Sequence, residues 1–164
     1  MALVYNADEL FEIAEQIERN GAKFYRQAAE ATKDTLSSEI LLSLAAWEDQ
    51  HEKLFAKMRE ELSKEDRESA FLDRDNQAAL YLQAAADSHI FNVNDISGML
   101  KGTETAEEIL RVALSFEKDS VVFFLAMKQL IPESLGKDKI SGILDEEMDH
   151  VAIVTSHIKR LQDG

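Results

Sequence analysis

Residues 144–150, L-D-E-E-M-D-H, decide how this chain folds. Glu147 and His150 stand three apart, so on a helix they project from one face, about one turn from each other. They interrupt a stripe that is otherwise apolar: Ile140, Ile143 and Leu144 before them, Val151, Val154, Ile158 and Leu161 after. A carboxylate and an imidazole aimed at a core are costly unless a charge or hydrogen-bonding group meets them there. The same arrangement recurs at Glu48 and His51, set among Leu41, Leu44, Ala45, Phe55, Met58 and Leu62.

Working outward, the two copies belong to a longer repeat. Glu18 precedes Glu48 by 30 residues and Glu117 precedes Glu147 by 30. A shift of 99 carries Glu18, Glu48 and His51 onto Glu117, Glu147 and His150. The flanks agree, with E-R-N-G-A-K-F-Y after the first position against E-K-D-S-V-V-F-F after its mate. Taken alone, Glu18 reads as a residue beside the stripe of Leu10, Ile13, Ala14, Ile17, Gly21, Phe24 and Ala28. Its mate Glu117 stands inside a stripe of Leu110, Ala113, Leu114, Val121 and Phe124, and the repeat places Glu18 with it.

These segments predict four long helices at about residues 7–31, 36–62, 105–131 and 138–161 in one domain of 164 residues. Asp34, Thr35 and Ser37 are capping candidates for the second helix, and Thr105 with Glu108 forms a capping box for the third. Pro132 ends the third. Residues 63–104 are too many for a hairpin turn and read as a crossover containing a short helix over about 76–88, suggested by Ala78, Leu80, Tyr81, Leu82, Ala84 and Ala85. Such a crossover lets helices two and three run parallel, giving an all-α, up-down-down-up four-helix bundle. Trp47 reads as a packing residue and His89 as a structural or surface one.

Bulk properties narrow the function. A net charge of −14 argues against nucleic acid, which needs clustered Lys and Arg, although solvated helix faces explain most of the carboxylates. With no cysteine, disulfides, thiolate metal sites, iron–sulfur clusters and a catalytic thiol are excluded. The longest purely apolar run, residues 121–127, is far below the ~20 residues of a membrane span, and the N-terminus lacks the basic start and apolar core of a signal peptide. A soluble, cytoplasmic protein is expected.

Four carboxylates and two imidazoles converging inside a bundle would repel one another and take up protons unless cations meet them. Two divalent ions balance four glutamates, each ion taking one imidazole and a share of the carboxylates, with two glutamates bridging. An oxygen-rich, sulfur-free ligand set suits iron or manganese better than copper or structural zinc.

In these six positions the sequence resembles the ferritin-like superfamily, and most closely its rubrerythrin-type di-iron carboxylate members. The resemblance covers all four long helices. It implies that Glu18, Glu48, His51, Glu117, Glu147 and His150 hold two iron ions, with manganese or a mixed pair as alternatives. Tyr25 matches a tyrosine that such proteins keep near the metals, and is the catalytic candidate. The implied activity is an oxidoreductase reducing O2 or H2O2; the alternatives are a ferroxidase or iron-storage subunit taking Fe(II), and a non-catalytic metal-binding bundle. The chain departs from the family in three places. It lacks the Cys-rich rubredoxin domain, so electrons must come from an external donor protein. Ser120 stands where rubrerythrins carry an extra glutamate. Asp49 stands where bacterioferritins carry a haem-ligating methionine, so no haem is expected. A homodimer or higher homo-oligomer is expected.

Overall fold

The computed structural model describes residues 5–71, 77–86 and 98–164, so His89 lies outside the described residues. Helix α1 spans Ala7–Ala31 and opens on a capping box: Asn6 accepts from the Glu9 amide at 2.9 Å, and Glu9 accepts from the Asn6 amide at 3.1 Å. Residues 32–34 then turn the chain into α2, Thr35–Glu60, capped by Asp34, which accepts from the Ser37 amide at 2.8 Å. Helix α3, Lys64–Glu68, and helix α4, Gln77–Ala86, lie in the connection that follows. Helix α5, Ala106–Leu130, begins with the Thr105–Glu108 capping box, and α6 spans Lys137–Asp163. Between them Pro132 leads into a short 3-10 turn, Glu133–Leu135.

Gly136 enters α6 at φ +95°, a left-handed conformation that costs glycine nothing. A Cβ there would also lie 2.8 Å from Met58 Cε, so the position is closed sterically as well.

Two expectations are corrected within the crossover. Helix α2 ends at Glu60, short of residue 62, and a separate helix α3 follows that the sequence reading left out. Leu62 is nevertheless buried, which is why the apolar stripe runs past the end of the helix. Ser63 restarts the chain by accepting from the Asp66 amide at 3.1 Å, and Arg67 ties α3 to the carbonyl of Arg59 at 2.6 Å and to Asp8. Among the described side chains of α4, Ala78 and Leu82 are buried, whereas Leu80 and Tyr81 are exposed. Its inward face packs on α5.

Contacts at the helix ends fix the directions. The start of α1 meets the end of α2 through Asp8–Arg59, and Ser38 near the start of α2 donates to the Ala29 carbonyl near the end of α1. Gln162 at the end of α6 donates to Glu107 at the start of α5. Arg160 and His157 near the end of α6 meet Asp34 and Ser37 at the start of α2. Each of these pairs is antiparallel, so α2 and α5 run parallel and the connection between them must travel the length of the bundle. The result is an all-α, ferritin-like four-helix bundle with a long crossover.

Aromatic rings fill the interior between the hairpins. Phe24 meets Phe116 edge-on at 4.7 Å, and Phe55 stacks on Phe124 at 5.3 Å, all four buried. Truncating any one to alanine removes about 3–5 kcal/mol of packing.

Candidate metal centre

Glu18 on α1, Glu48 and His51 on α2, Glu117 on α5, and Glu147 and His150 on α6 are all buried, none more than 3% exposed. They lie at mid-helix, away from the end groups that usually satisfy buried carboxylates. Two groups of ligand atoms form, each within a span of 4.8 Å: Glu18, Glu48, His51 and Glu147 make one, and Glu48, Glu117, Glu147 and His150 the other. Glu48 and Glu147 belong to both. All six residues singled out by the repeat thus come together, including Glu18, which is fully buried and not at the flank of its stripe.

Eight side-chain atoms of this cluster are buried without a hydrogen-bond partner among the described residues: both oxygens of Glu18 and Glu147, Oε1 of Glu48, Oε2 of Glu117, and Nδ1 of both histidines. The atoms face one another closely. His51 Nδ1 lies 2.9 Å from Glu147 Oε1 and 3.5 Å from Glu18 Oε2, and His150 Nδ1 lies 3.4 Å from Glu117 Oε2 and 3.6 Å from Glu48 Oε1. Buried acceptors without partners are rare because each costs about 1–3 kcal/mol. Six carboxylate oxygens and two imidazole nitrogens, orphaned and mutually facing, are the donor set that two hard-to-borderline dications would satisfy.

The electrostatics of the protein alone agree. Burial, then the charge of Glu147, holds the Glu18 carboxyl well above the usual carboxylate range. Burial, then Glu18 and Glu147, does the same to Glu48. Glu117 is pushed up to about 7 by burial, against the opposing pull of His150. Burial disfavours the charged form of His51, but the Glu147 carboxylate facing it, then the Glu146 hydrogen bond and the Glu48 charge, outweigh it and raise its pKa to about 9. Without metal, protons supply the missing positive charge.

Four neighbours complete the surroundings. Tyr25, buried at 1% exposure, donates to Glu117 Oε1 at 2.5 Å. Burial, then the Glu117 charge, raises the Tyr25 pKa, so its proton stays on the phenol. Glu146 Oε2 lies 2.7 Å from His51 Nε2, the nitrogen turned away from the cluster. Trp47 stacks on His150 at 4.9 Å and 19°, so the packing residue of the sequence reading is also in contact with a cluster imidazole. Gly21, one turn after Glu18, faces the Glu48 carboxylate. Asp49 pairs with Arg26 on the half-exposed side of α2, and Ser120 is buried one turn after Glu117.

Glu146, Trp47 and Gly21 were not found from sequence. Glu146 and Trp47 each precede a glutamate common to both groups and flank the inward stripe, so periodicity alone marks neither as inward. Gly21 lies on the stripe, but its partner is on another helix.

Among the described residues, no helix is long and apolar enough to cross a membrane. No family model matches the sequence, and no curated protein matches it. The fold is similar to that of a crystal structure from Thermotoga maritima, a candidate ferritin-like diiron-carboxylate protein. The two share 23% sequence identity and a TM-score of 0.74 over 94% of this chain and 95% of that one.

Proposed function

We propose that this chain is a dinuclear metal–carboxylate oxidoreductase, using iron to reduce O2 or H2O2. The observation that carries the reading is the set of eight orphaned ligand atoms in two overlapping groups that share Glu48 and Glu147. Glu18 and His51 would hold one ion, Glu117 and His150 the other, and the two shared glutamates would bridge them. The similarity to a candidate diiron-carboxylate protein supports iron as the metal.

Two ferrous ions, when bound, supply the two electrons that take peroxide to water or dioxygen to peroxide. The chain's own part is to hold, orient and exclude. The aromatic walls keep water from the carboxylates. Tyr25 keeps its phenol proton beside Glu117 Oε1 and is placed to release it when peroxide oxygen needs protons. An external electron donor protein, which re-reduces the metals after each turnover, belongs to the same reading. A homodimer or larger homo-oligomer in the cytoplasm belongs to the same reading.

Metal analysis of protein purified without chelator, followed by peroxide consumption with a chemical reductant, tests it. Two iron ions per chain and turnover that Glu147→Gln abolishes are expected. Failure to take up Fe(II) under anaerobic reconstitution overturns the reading.

Ser120 favours a second reading, a ferroxidase or iron-handling centre. It is buried one turn from Glu117, where a hydroxyl is a poorer metal ligand and proton acceptor than a carboxylate. Under this reading Fe(II) is substrate, and peroxide turnover is slow until Ser120→Glu supplies the missing carboxylate. A natural protein that is already a fast peroxidase, and is unchanged by Ser120→Glu, decides for the first reading.

A further inference from the structure

The shift of 99 residues that superposes the six cluster residues also pairs their neighbours, and there the symmetry fails. Residue 146 is a glutamate and residue 47, its mate, a tryptophan. His51 therefore has a carboxylate on its outer nitrogen, Glu146 Oε2 at 2.7 Å, while His150 has an indole stacked on its ring at 4.9 Å. Among the described residues nothing accepts a hydrogen bond from the outer nitrogen of His150. Tyr25 breaks the symmetry in the same sense. It engages Glu117 Oε1, whereas its mate, Phe124, has no hydroxyl to offer Glu18.

The consequence for ligand atoms can be counted. Glu18 and His51 bring three uncommitted atoms to their position: both Glu18 oxygens and His51 Nδ1. Glu117 and His150 bring two, Glu117 Oε2 and His150 Nδ1. The carboxylate behind His51 adds to this difference. A carboxylate accepting from the far nitrogen of a ligating imidazole fixes its tautomer and orientation and raises its basicity, an effect of about 10–100-fold in metal affinity.

Resting on the dinuclear reading above, we infer that the two metal positions are unequal: the Glu18–His51 position fills first, and Glu146 is the positioning residue that makes it so. Glu146 is 61% exposed, so water screens its charge and its effect belongs at the lower end of that range, about 10-fold. Trp47 leaves the other imidazole without such a partner and covers its ring from solvent. It is the only tryptophan in the chain and therefore reports on His150.

Anaerobic titration of the metal-free chain with Co(II), followed by calorimetry and by Trp47 emission, tests the inference. Two steps separated by about 10-fold or more are expected, with most of the Trp47 quenching in the second. Glu146→Ala should weaken the first step about 10-fold and leave the second in place, so that the two merge. Glu146→Gln, which keeps an acceptor but not its charge, should fall between. Trp47→Glu should strengthen the second step instead. Each Glu146 variant also loses or weakens its contact with His51 in the metal-free chain, so the titrations are run well below the metal-free melting temperature of each variant, where all are folded. Two equal steps in the natural chain, or Glu146→Ala weakening both alike, overturn the inference and leave the dinuclear site standing. A chain that binds no Co(II) overturns the dinuclear reading itself, and this inference with it.

Discussion

The phenol of Tyr25 and the carboxylate of Glu117 are 2.5 Å apart across the interface of α1 and α5, both buried. This hydrogen bond engages Glu117 Oε1 in a cluster where six other carboxylate oxygens have no partner, and it joins the two helical hairpins at the level of the site. Tyr25→Phe tests its weight without changing shape much, since Phe124 fills the equivalent place in the second half. Removing the donor leaves Glu117 Oε1 buried and unsatisfied, at about 1–3 kcal/mol. The metal-free variant should therefore lose about that much stability and melt lower in a thermal unfolding experiment. An unchanged melting temperature would show that the contact is not formed in solution.

Metal removal should expose the cost of the cluster. Dications bound only by the folded state stabilise it by about 2.7 kcal/mol when free metal is 100 times its dissociation constant. Glu147 belongs to both ligand groups, so Glu147→Gln should abolish that increment for both positions. The same substitution relieves the repulsion that Glu147 exerts on Glu18 and Glu48 but takes the carboxylate away from His51, 2.9 Å off. These two effects oppose each other, so the metal-free variant should melt close to the metal-free natural chain. Scanning calorimetry with and without Mn(II) reads both effects at once. A natural chain whose melting point ignores verified metal loss contradicts the argument.

How much of this was legible in the sequence depends on where each signal resides. Glu117, Glu147 and His150 interrupt apolar stripes, and periodicity alone finds them. Glu18 needed the repeat, because its own neighbours leave it at the edge of a stripe while the structure buries it fully. Leu62 misled for a physical reason: a buried residue just past a helix end continues the helical pattern without being in the helix. Glu146 and Trp47 were out of reach, because their roles depend on how α2 and α6 face each other. That register is set by tertiary packing, which no single helix records.

The Asp8–Arg59–Arg67 cluster predicts an acid dependence remote from the site. Asp8 accepts from Arg59 Nε at 3.0 Å and from Nη2 at 3.3 Å, and also meets Arg67. The Arg59 hydrogen bond is the largest influence holding the Asp8 carboxyl below its ordinary value of 3.8. A depressed folded pKa contributes stability above the unfolded pKa and loses it as pH falls through the folded one. Asp8→Asn should therefore cost a constant amount above about pH 4, of roughly 0.5 kcal/mol given solvent screening, and the two stability curves should converge in stronger acid. Urea unfolding across pH 2–6 checks this; parallel curves at all pH values would remove Asp8 from the account.

Gly21 separates what is good for the helix from what is good for the site. An alanine in mid-helix is worth roughly 0.5–1 kcal/mol over glycine. At this position, however, the added Cβ would stand 3.3 Å from Glu48 Oε2 and 3.5 Å from its Cγ and Cδ, so the Glu48 side chain must give by a few tenths of an ångström. Without metal it can, because the carboxylate is the far end of a flexible side chain. With metal it cannot do so freely, because Glu48 belongs to both ligand groups and its placement is shared between two ions. Gly21→Ala should accordingly raise the metal-free melting temperature slightly while shrinking the further rise on adding Mn(II). Measured as a pair, the two shifts have opposite signs. If alanine raises both, Glu48 has room to move within the loaded site, and the close approach of Gly21 to Glu48 reflects packing alone.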